Sequence, residues 1–200
     1  AGVAHAELNA IGKARGLDPH RVDKDTNDKT SKLANDIYTN TVLWQTFSYD
    51  DTPNYYDLST STTDGSQGTG SREPSWSSDG GGSFDFDGTD DFIDLGNPAA
   101  LQFTGAFSLT AWIKTGDNDG RIIAKDDVSS NRAYFMRTSG AAPTGKVQFY
   151  LWRSGAAKNI QSTAAVNDSA WHHVAGVNDG TDLKIYVDGI LSGTSAGNGG

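Results

Sequence analysis

The stretch from Ser83 to Gly96, which reads S-F-D-F-D-G-T-D-D-F-I-D-L-G, constrains the fold of this 200-residue chain more than any other. Aromatic and acidic residues alternate along its first half, a Gly-Thr-Asp-Asp turn follows, and apolar residues then resume. Period-two alternation around such a turn predicts an antiparallel hairpin with one buried face. We therefore expect Phe84 and Phe86 to lie in a core.

The same hairpin carries a high density of carboxylates, and like charges this close repel each other. Calcium takes oxygen ligands from such clusters, so the sequence predicts a metal site formed by the hairpin and a neighbouring turn. Its predicted ligands are Asp87, Asp90, Asp91 and Asp188. The alternative is that these residues are turn formers and solvated strand residues that bind no ion.

Alternating apolar and polar residues also recur elsewhere in the chain and predict further strands. The predicted strands are Leu43–Tyr49, Phe107–Thr115, Arg121–Lys125, Ala133–Arg137, Val147–Arg153, Trp171–Val177 and Leu183–Val187. Asp188-Gly189 predicts a tight turn, so Ile190–Thr194 should pair back on the strand before it. The predicted core also contains Leu109, Ile113, Phe149, Ile185 and Val187. Strands this regular indicate an all-β fold, with two antiparallel sheets packed as a sandwich.

The first forty residues differ from the rest, because apolar residues there recur at helical spacing. The apolar positions of two short predicted helices are Ala4, Leu8 and Ile11, then Leu33 and Ile37. Each helix is too short to be stable alone in water, so each apolar stripe needs a partner surface. We therefore divide the chain into a short helical docking arm at residues 1–40 and a sandwich at residues 41–200.

Four segments, in this order, resemble laminin-G-like, concanavalin-A-like jelly rolls. They are the acidic hairpin, then F-S-L-T-A-W-I-K-T, W-H-H-V-A-G-V and L-K-I-Y-V-D-G. The resemblance covers the chain from about Leu43 to its end and implies a jelly-roll fold. It implies a function less specifically, because this fold hosts lectins, adhesins, enzymes and structural modules.

The resemblance also implies a closing strand that this sequence does not show. Family members usually end with another strand that returns beside the first, and no such segment precedes Gly200. We therefore expect the closing C-terminal strand to be absent, which would leave a sheet edge to be covered. Two explanations are open at this point: the sequence is truncated, or another subunit covers that edge, with the N-terminal arm covering part of it.

Composition excludes several classes of protein and site. The chain has no cysteine, so neither a disulfide nor a thiolate metal site can form. Its formal net charge of −9 argues against a nucleic-acid surface. No apolar run reaches membrane-spanning length, so we expect no membrane insertion.

The pattern of acidic and basic residues argues against an enzyme. Related jelly-roll glycosidases use two carboxylates on one strand, whereas the glutamates here are Glu7 in the arm and Glu73 in a Ser/Gly-rich loop. His172 and His173 are adjacent on a predicted strand, so they point to opposite faces and cannot share one ligand. We therefore predict no catalytic residues.

Three aromatic residues lie off the core face by alternation and are the predicted ligand-binding residues: Trp112, Tyr150 and Trp152. Exposed aromatic rings stack on the apolar faces of sugars and are also enriched at protein interfaces. Sugar binding, contact with another protein and burial under the N-terminal arm are all compatible with this pattern.

The sequence favours a non-enzymatic recognition module at an extracellular, cell-surface or virion location. Such a module would bind glycan or a cell-surface polymer, with calcium as the candidate cofactor. The alternative is a structural subunit of a larger assembly, such as a phage tail or capsid accessory protein or an extracellular filament. In that case the chain would dock on other protein subunits through residues 1–40.

Overall fold

A computed structural model describes residues 4–7, 54–55, 64–125, 134–141, 143–153 and 155–196. This part of the chain is almost entirely β-structure. Its strands are β1 (Ala4–Glu7), β2 (Asn54–Tyr55), β3 (Gly65–Gln67), β4 (Ser75–Ser77), β5 (Ser83–Phe86), β6 (Ile93–Asp94), β7 (Phe107–Lys114), β8 (Arg121–Lys125), β9 (Tyr134–Ser139), β10 (Lys146–Arg153), β11 (Ala156–Ala165), β12 (Trp171–Asn178), β13 (Leu183–Val187) and β14 (Ile190–Ser195). Short 3-10 helices lie at Gly70–Arg72, Asp79–Gly81 and Ala99–Leu101. Among the described residues, no helix has the length and apolar character needed to cross a membrane.

Two antiparallel sheets pack face to face as a sandwich. The seven-stranded sheet has the order β14-β13-β12-β7-β1-β5-β4, and the four-stranded sheet has the order β11-β10-β9-β8. A small third sheet has the order β2-β3-β6. The architecture confirms the predicted all-β, two-sheet antiparallel jelly-roll sandwich.

One hydrophobic core fills the space between the two larger sheets, and alternation determines which residues reach it. Leu109 and Ile113 on β7 are buried, and Phe149 on β10 faces them from the other sheet. Ile185 and Val187 on β13 are also buried, as predicted. The sheets pack so closely that a Cβ added to Gly176 on β12 would lie 2.7 Å from Phe149 Cγ. The predicted register of these strands is therefore confirmed.

The predicted hairpin within Ser83–Gly96 is wrong, although both of its halves are strands. β5 pairs with β4 and β1 in the seven-stranded sheet, whereas β6 pairs with β3 in the small third sheet. Phe84 is fully buried, and the half-buried Phe86 and Ile93 pack against it in a second, smaller cluster. Alternation predicted the extended backbone and the inward face, but each half finds its hydrogen-bond partners in a different sheet.

Residues 4–7 form a strand and not the start of a helix, which corrects the prediction of a helix at Ala4. β1 lies between β5 and β7 and pairs antiparallel with both. The other apolar positions of the predicted arm, and the strand predicted at residues 43–49, lie outside the described residues. Within the described ranges β1 joins β5 to β7 in one sheet, and docking of the arm on another subunit stays a prediction.

The sequence pattern did not predict β11, which has ten residues and pairs along β10. Its sequence, A-A-K-N-I-Q-S-T-A-A, is dominated by small and polar residues that give little strand signal. Ile160 reaches the core, and Ser162 is buried nearby, where its Oγ accepts a hydrogen bond from the Val147 N–H at 2.9 Å. A strand at the edge of a sheet needs less apolar surface than a central strand, which explains why alternation missed it.

Candidate functional site

The three predicted ligand-binding aromatic residues lie on two opposite outer faces of the sandwich. Trp112 is on β7 in the seven-stranded sheet, whereas Tyr150 and Trp152 are on β10 in the four-stranded sheet. Both strands turn their alternate residues into the common core, so their remaining side chains point away from each other. The structure therefore brings Tyr150 and Trp152 together and separates Trp112 from them.

Tyr150 belongs to an aromatic stack on the outer face of the four-stranded sheet. Its ring lies parallel to that of Phe135 on β9, with the centroids 4.6 Å apart and 4° between the ring planes. The two residues are cross-strand partners, which places their side chains next to each other. Trp152 projects from the same face two residues further along β10 and is 40% exposed. We call Phe135, Tyr150 and Trp152 the aromatic patch.

Two arginines border the aromatic patch. Arg121 on β8 and Arg137 on β9 are cross-strand partners, and their guanidinium carbons lie 4.9 Å and 5.4 Å from the centroid of the Phe135 ring. Arg137 Nε donates to Gln148 Oε1 at 2.8 Å, and its Nη1 forms an ion pair with Asp119 at 3.1 Å. The cation–π contact and the two hydrogen bonds together fix the orientation of the Arg137 guanidinium.

The four-stranded sheet is also cationic, although the chain as a whole is acidic. Strands β8, β9, β10 and β11 contain six Lys or Arg residues and no Asp or Glu, while the formal net charge of the chain is −9. Arg121, Arg137 and Lys146 fall on the outer face by register with the aromatic patch. The total charge of the chain hides this surface, whereas the charges of the individual strands reveal it.

Trp112, on the opposite face, is half-buried against a neighbour in its own sheet. Its ring lies 5.4 Å from that of His173, its cross-strand partner on β12, at an interplanar angle of 59°. Burial lowers the pKa of His173, although the nearby charge of Asp188 acts in the opposite direction. Trp112 therefore has an aromatic contact within its own sheet.

His172 lies between two carboxylates, on the opposite side of β12 from His173. Its Nδ1 is 2.8 Å from Asp188 Oδ2, and its Nε2 is 3.1 Å from Asp168 Oδ1. Both ring nitrogens can donate to these carboxylates only when the imidazole is protonated. Burial opposes the charged form, but the hydrogen bonds to Asp188 and Asp168 outweigh it and raise the pKa of His172. Asp188 thus contacts both histidines, through the ring of His172 and the backbone N–H of His173.

Three of the four predicted metal ligands come together in the turn between β5 and β6. One carboxylate oxygen from each of Asp87, Asp90 and Asp91 lies within 4.8 Å of the others. Asp188 is not in this group, because it lies in the β13–β14 turn with a φ of +52°, where one carboxylate oxygen contacts His172 and the other accepts the His173 N–H. The acidic turn is therefore built from Asp87, Asp90 and Asp91.

Hydrogen bonds within the acidic turn explain part of its carboxylate density. Asp87 Oδ1 accepts the Thr89 N–H at 2.7 Å, and Asp91 Oδ2 accepts the Asp87 N–H at 2.8 Å. Asp90 Oδ2 lies 3.5 Å from Arg72 Nε. These carboxylates thus shape the turn, and three of them so close together also suit a hard cation such as calcium.

Solved structures that resemble parts of this chain include one from a mouse protein and one from a bacterial protein. Domains LG4-5 of the mouse laminin α1 chain share 18% identity with it and cover 46% of it, with a TM-score of 0.37, and this chain covers 24% of that structure. An S-layer domain-containing protein from Clostridium thermocellum shares 23% identity, with coverage of 78% of this chain and 72% of its own and a TM-score of 0.47. No curated protein matches the sequence.

A family model establishes where the chain belongs. Residues 87–200 match the model described as the concanavalin A-like lectin/glucanases superfamily. That range contains every strand of the four-stranded sheet together with β7, β12, β13 and β14. It spans more than half of the 200 residues and agrees with the resemblance carried by the sequence motifs. The chain therefore belongs to the concanavalin A-like lectin/glucanases superfamily.

Proposed function

We propose that this protein is a non-enzymatic recognition module of an extracellular or cell surface, and that it binds glycan through the outer face of the four-stranded sheet. The observation that carries the proposal is the aromatic patch, in which the exposed Trp152 lies beside the Phe135–Tyr150 stack. Aromatic rings with one accessible side stack on the apolar face of a sugar ring. Membership of the family does not by itself establish glycan binding, because one fold hosts many functions.

Polar side chains around the aromatic patch would supply hydrogen bonds to the hydroxyl groups of a bound sugar. Asn159 on β11 is exposed and is the cross-strand partner of Tyr150. Gln148 on β10 and Gln161 on β11 are also cross-strand partners, and Gln148 is two residues before Tyr150. Gln161 Nε2 donates to Ser139 Oγ at 2.9 Å. Side-chain amides donate and accept hydrogen bonds, as sugar hydroxyls do. A ring stacked on Tyr150 or Trp152 would therefore lie within reach of amide partners.

The composition of this sheet supports binding without hydrolysis. Glycoside hydrolysis commonly requires a pair of carboxylates that flank the scissile bond. Strands β8 to β11 contain no Asp or Glu, so the proposed binding face does not supply such a pair from its own strands. A bound glycan would be held there and released unchanged.

The acidic turn is the proposed calcium site of the module. Asp87, Asp90 and Asp91 offer the carboxylate oxygens that calcium prefers, and all three lie in one turn. Calcium bound there would neutralise the mutual repulsion of the carboxylates and stabilise the link between β5 and β6. Asp188 is left out of this proposal, because its carboxylate contacts His172 and the His173 N–H.

A matched pair of tryptophan variants tests the proposed binding face. Trp152 and Trp76 are 40% and 38% exposed, but they lie on strands of different sheets. Binding to an array of neutral and acidic glycans should weaken in Trp152→Ala by about tenfold, the loss expected for one stacking contact. Trp76→Ala should bind as the unchanged protein does. Equal binding by both variants, with unchanged thermal unfolding, would contradict the proposed face.

A further inference from the structure

We propose that this face selects a polysaccharide that carries carboxylate groups, such as a uronic acid polymer. The inference rests on the proposed glycan-binding function and adds the chemical class of the glycan. Its basis is the position of two arginines beside the aromatic patch, on the cationic sheet of an acidic protein.

The segregation of charge points to an anionic ligand. Arg121, Arg137 and Lys146 lie on the outer face of the four-stranded sheet, and no strand of that sheet carries a carboxylate. Asp119, from the loop before β8, pairs with Arg137 and partly offsets this charge. The net charge of the chain is −9, so a face with an excess of cations is a departure from the rest of the surface. A ligand with carboxylates would be attracted to this face and repelled by others.

The geometry of Arg137 suits a carboxylate in particular. A guanidinium has five N–H donors in a planar fork that matches the two oxygens of a carboxylate. The described hydrogen bonds of Arg137 use the Nε N–H and one of the two N–H groups of Nη1. The other Nη1 N–H and an Nη2 N–H would together face the two oxygens of a ligand carboxylate. Phe135 beneath it and Gln148 beside it hold the fork in place before a ligand arrives. Binding then loses less side-chain freedom, which favours affinity.

The aromatic patch and the overall charge together favour an acidic polysaccharide over denser polyanions. Double-stranded DNA carries one charge per roughly 1.7 Å, so its long-range repulsion from a protein of net charge −9 is strong. A uronic acid polymer has at most one charge per sugar and presents apolar ring faces between its carboxylates. Tyr150 and Trp152 offer stacking surfaces for those ring faces, within the same outer face as the arginines. The arginines would therefore bind the carboxylates of the polymer, and the aromatic rings would stack on the sugar ring faces between them.

The test compares polygalacturonate with the same polymer after chemical reduction of its carboxyl groups, using dextran sulfate and duplex DNA as further probes. Dissociation constants are measured for the intact protein, for Arg121→Gln/Arg137→Gln and for Arg72→Gln/Lys184→Gln, which removes two cations outside the four-stranded sheet. Arg137→Lys serves as a milder variant that keeps the charge and loses the fork. All measurements contain a chelator, so that calcium makes no contribution.

We expect the intact protein to bind polygalacturonate at least tenfold more tightly than the reduced polymer, the other two probes more weakly, and added salt to weaken binding. Arg121→Gln/Arg137→Gln should lose this preference, Arg137→Lys should lose part of it, and Arg72→Gln/Lys184→Gln should keep it. Equal binding of both polymers, sensitive to Trp152→Ala, would overturn the acidic preference and leave the glycan-binding function intact. Tighter binding of DNA or dextran sulfate would overturn the choice of a carboxylated sugar. Absence of binding to every probe would contradict this inference and the proposed function together.

Discussion

The outer face of the four-stranded sheet and the acidic segments attached to the seven-stranded sheet contrast in charge, although both belong to one sandwich with one core. The first presents aromatic rings and cations without a carboxylate on its strands. The second carries the acidic turn of Asp87, Asp90 and Asp91 and the carboxylate pair around His172. The core fixes only the inward residues of each strand, so outward residues are free to differ. We therefore expect the residues that bind a ligand to be among the outward ones.

The largest effect that we expect on the acidic side comes from His172→Gln. In the native state the imidazolium lies between Asp188 and Asp168, and glutamine carries no charge to offset these carboxylates. Thermal unfolding near pH 5.5 should show the variant's Tm lowered by several degrees, since most of the His172 ring is shielded from solvent and its side chain is only 15% exposed. His173→Gln, next to it on β12, is the matched control.

The pH dependence of this effect follows from the direction of each pKa shift. The pKa of His172 is raised above its ordinary value of 6.5, so its stabilisation is complete below that value and is lost as the pH rises through the folded-state pKa. The pKa values of Asp168 and Asp188 are lowered from 3.8, so their stabilisation is present above 3.8 and is lost as the pH falls further. The Tm difference between the native protein and His172→Gln should therefore be greatest between these two values. A difference that grows above pH 7 would show that the histidine does not act through its charge.

The smallest expected effect is that of calcium on the acidic turn. A ligand that binds only the folded state raises Tm by mass action, and millimolar calcium should raise the Tm of the native protein slightly. Asp90→Asn removes one of the three carboxylates and should abolish the rise, whereas Asp94→Asn, just beyond the turn, should retain it. A melting curve that calcium leaves unchanged would show that the carboxylates of this turn serve only as turn formers.

Alternation predicted much of this fold because the core is filled by every second residue of each long strand. It placed Leu109, Phe149 and Ile185 correctly, since one buried face specifies the register. It failed at β11, whose small and polar residues give no period, and at the acidic turn, whose flanking strands β5 and β6 pair with other strands and not with each other. Hydrogen-bond partners between strands are not encoded in the period of either strand.

The sequence predicted only part of the candidate site, because alternation shows which residues point outward and does not show which strands are neighbours. Alternation identified Trp112, Tyr150 and Trp152 as outward residues, but it does not say to which sheet a strand belongs. Phe135 and the two arginines were missed, because their relation to Tyr150 depends on the register between β8, β9 and β10. A site formed across neighbouring strands becomes visible only when their pairing is known.

Radical footprinting tests most directly whether ligand binds the outer face of the four-stranded sheet. Oxidation of Trp152 and Trp76 by hydroxyl radicals is measured by mass spectrometry, with and without saturating polygalacturonate. The two rings are almost equally exposed, so each is the internal reference for the other. We predict that the bound polymer protects Trp152 and leaves Trp76 unchanged. Protection of Trp76 with unchanged oxidation of Trp152 would place the ligand elsewhere and contradict the proposed binding face.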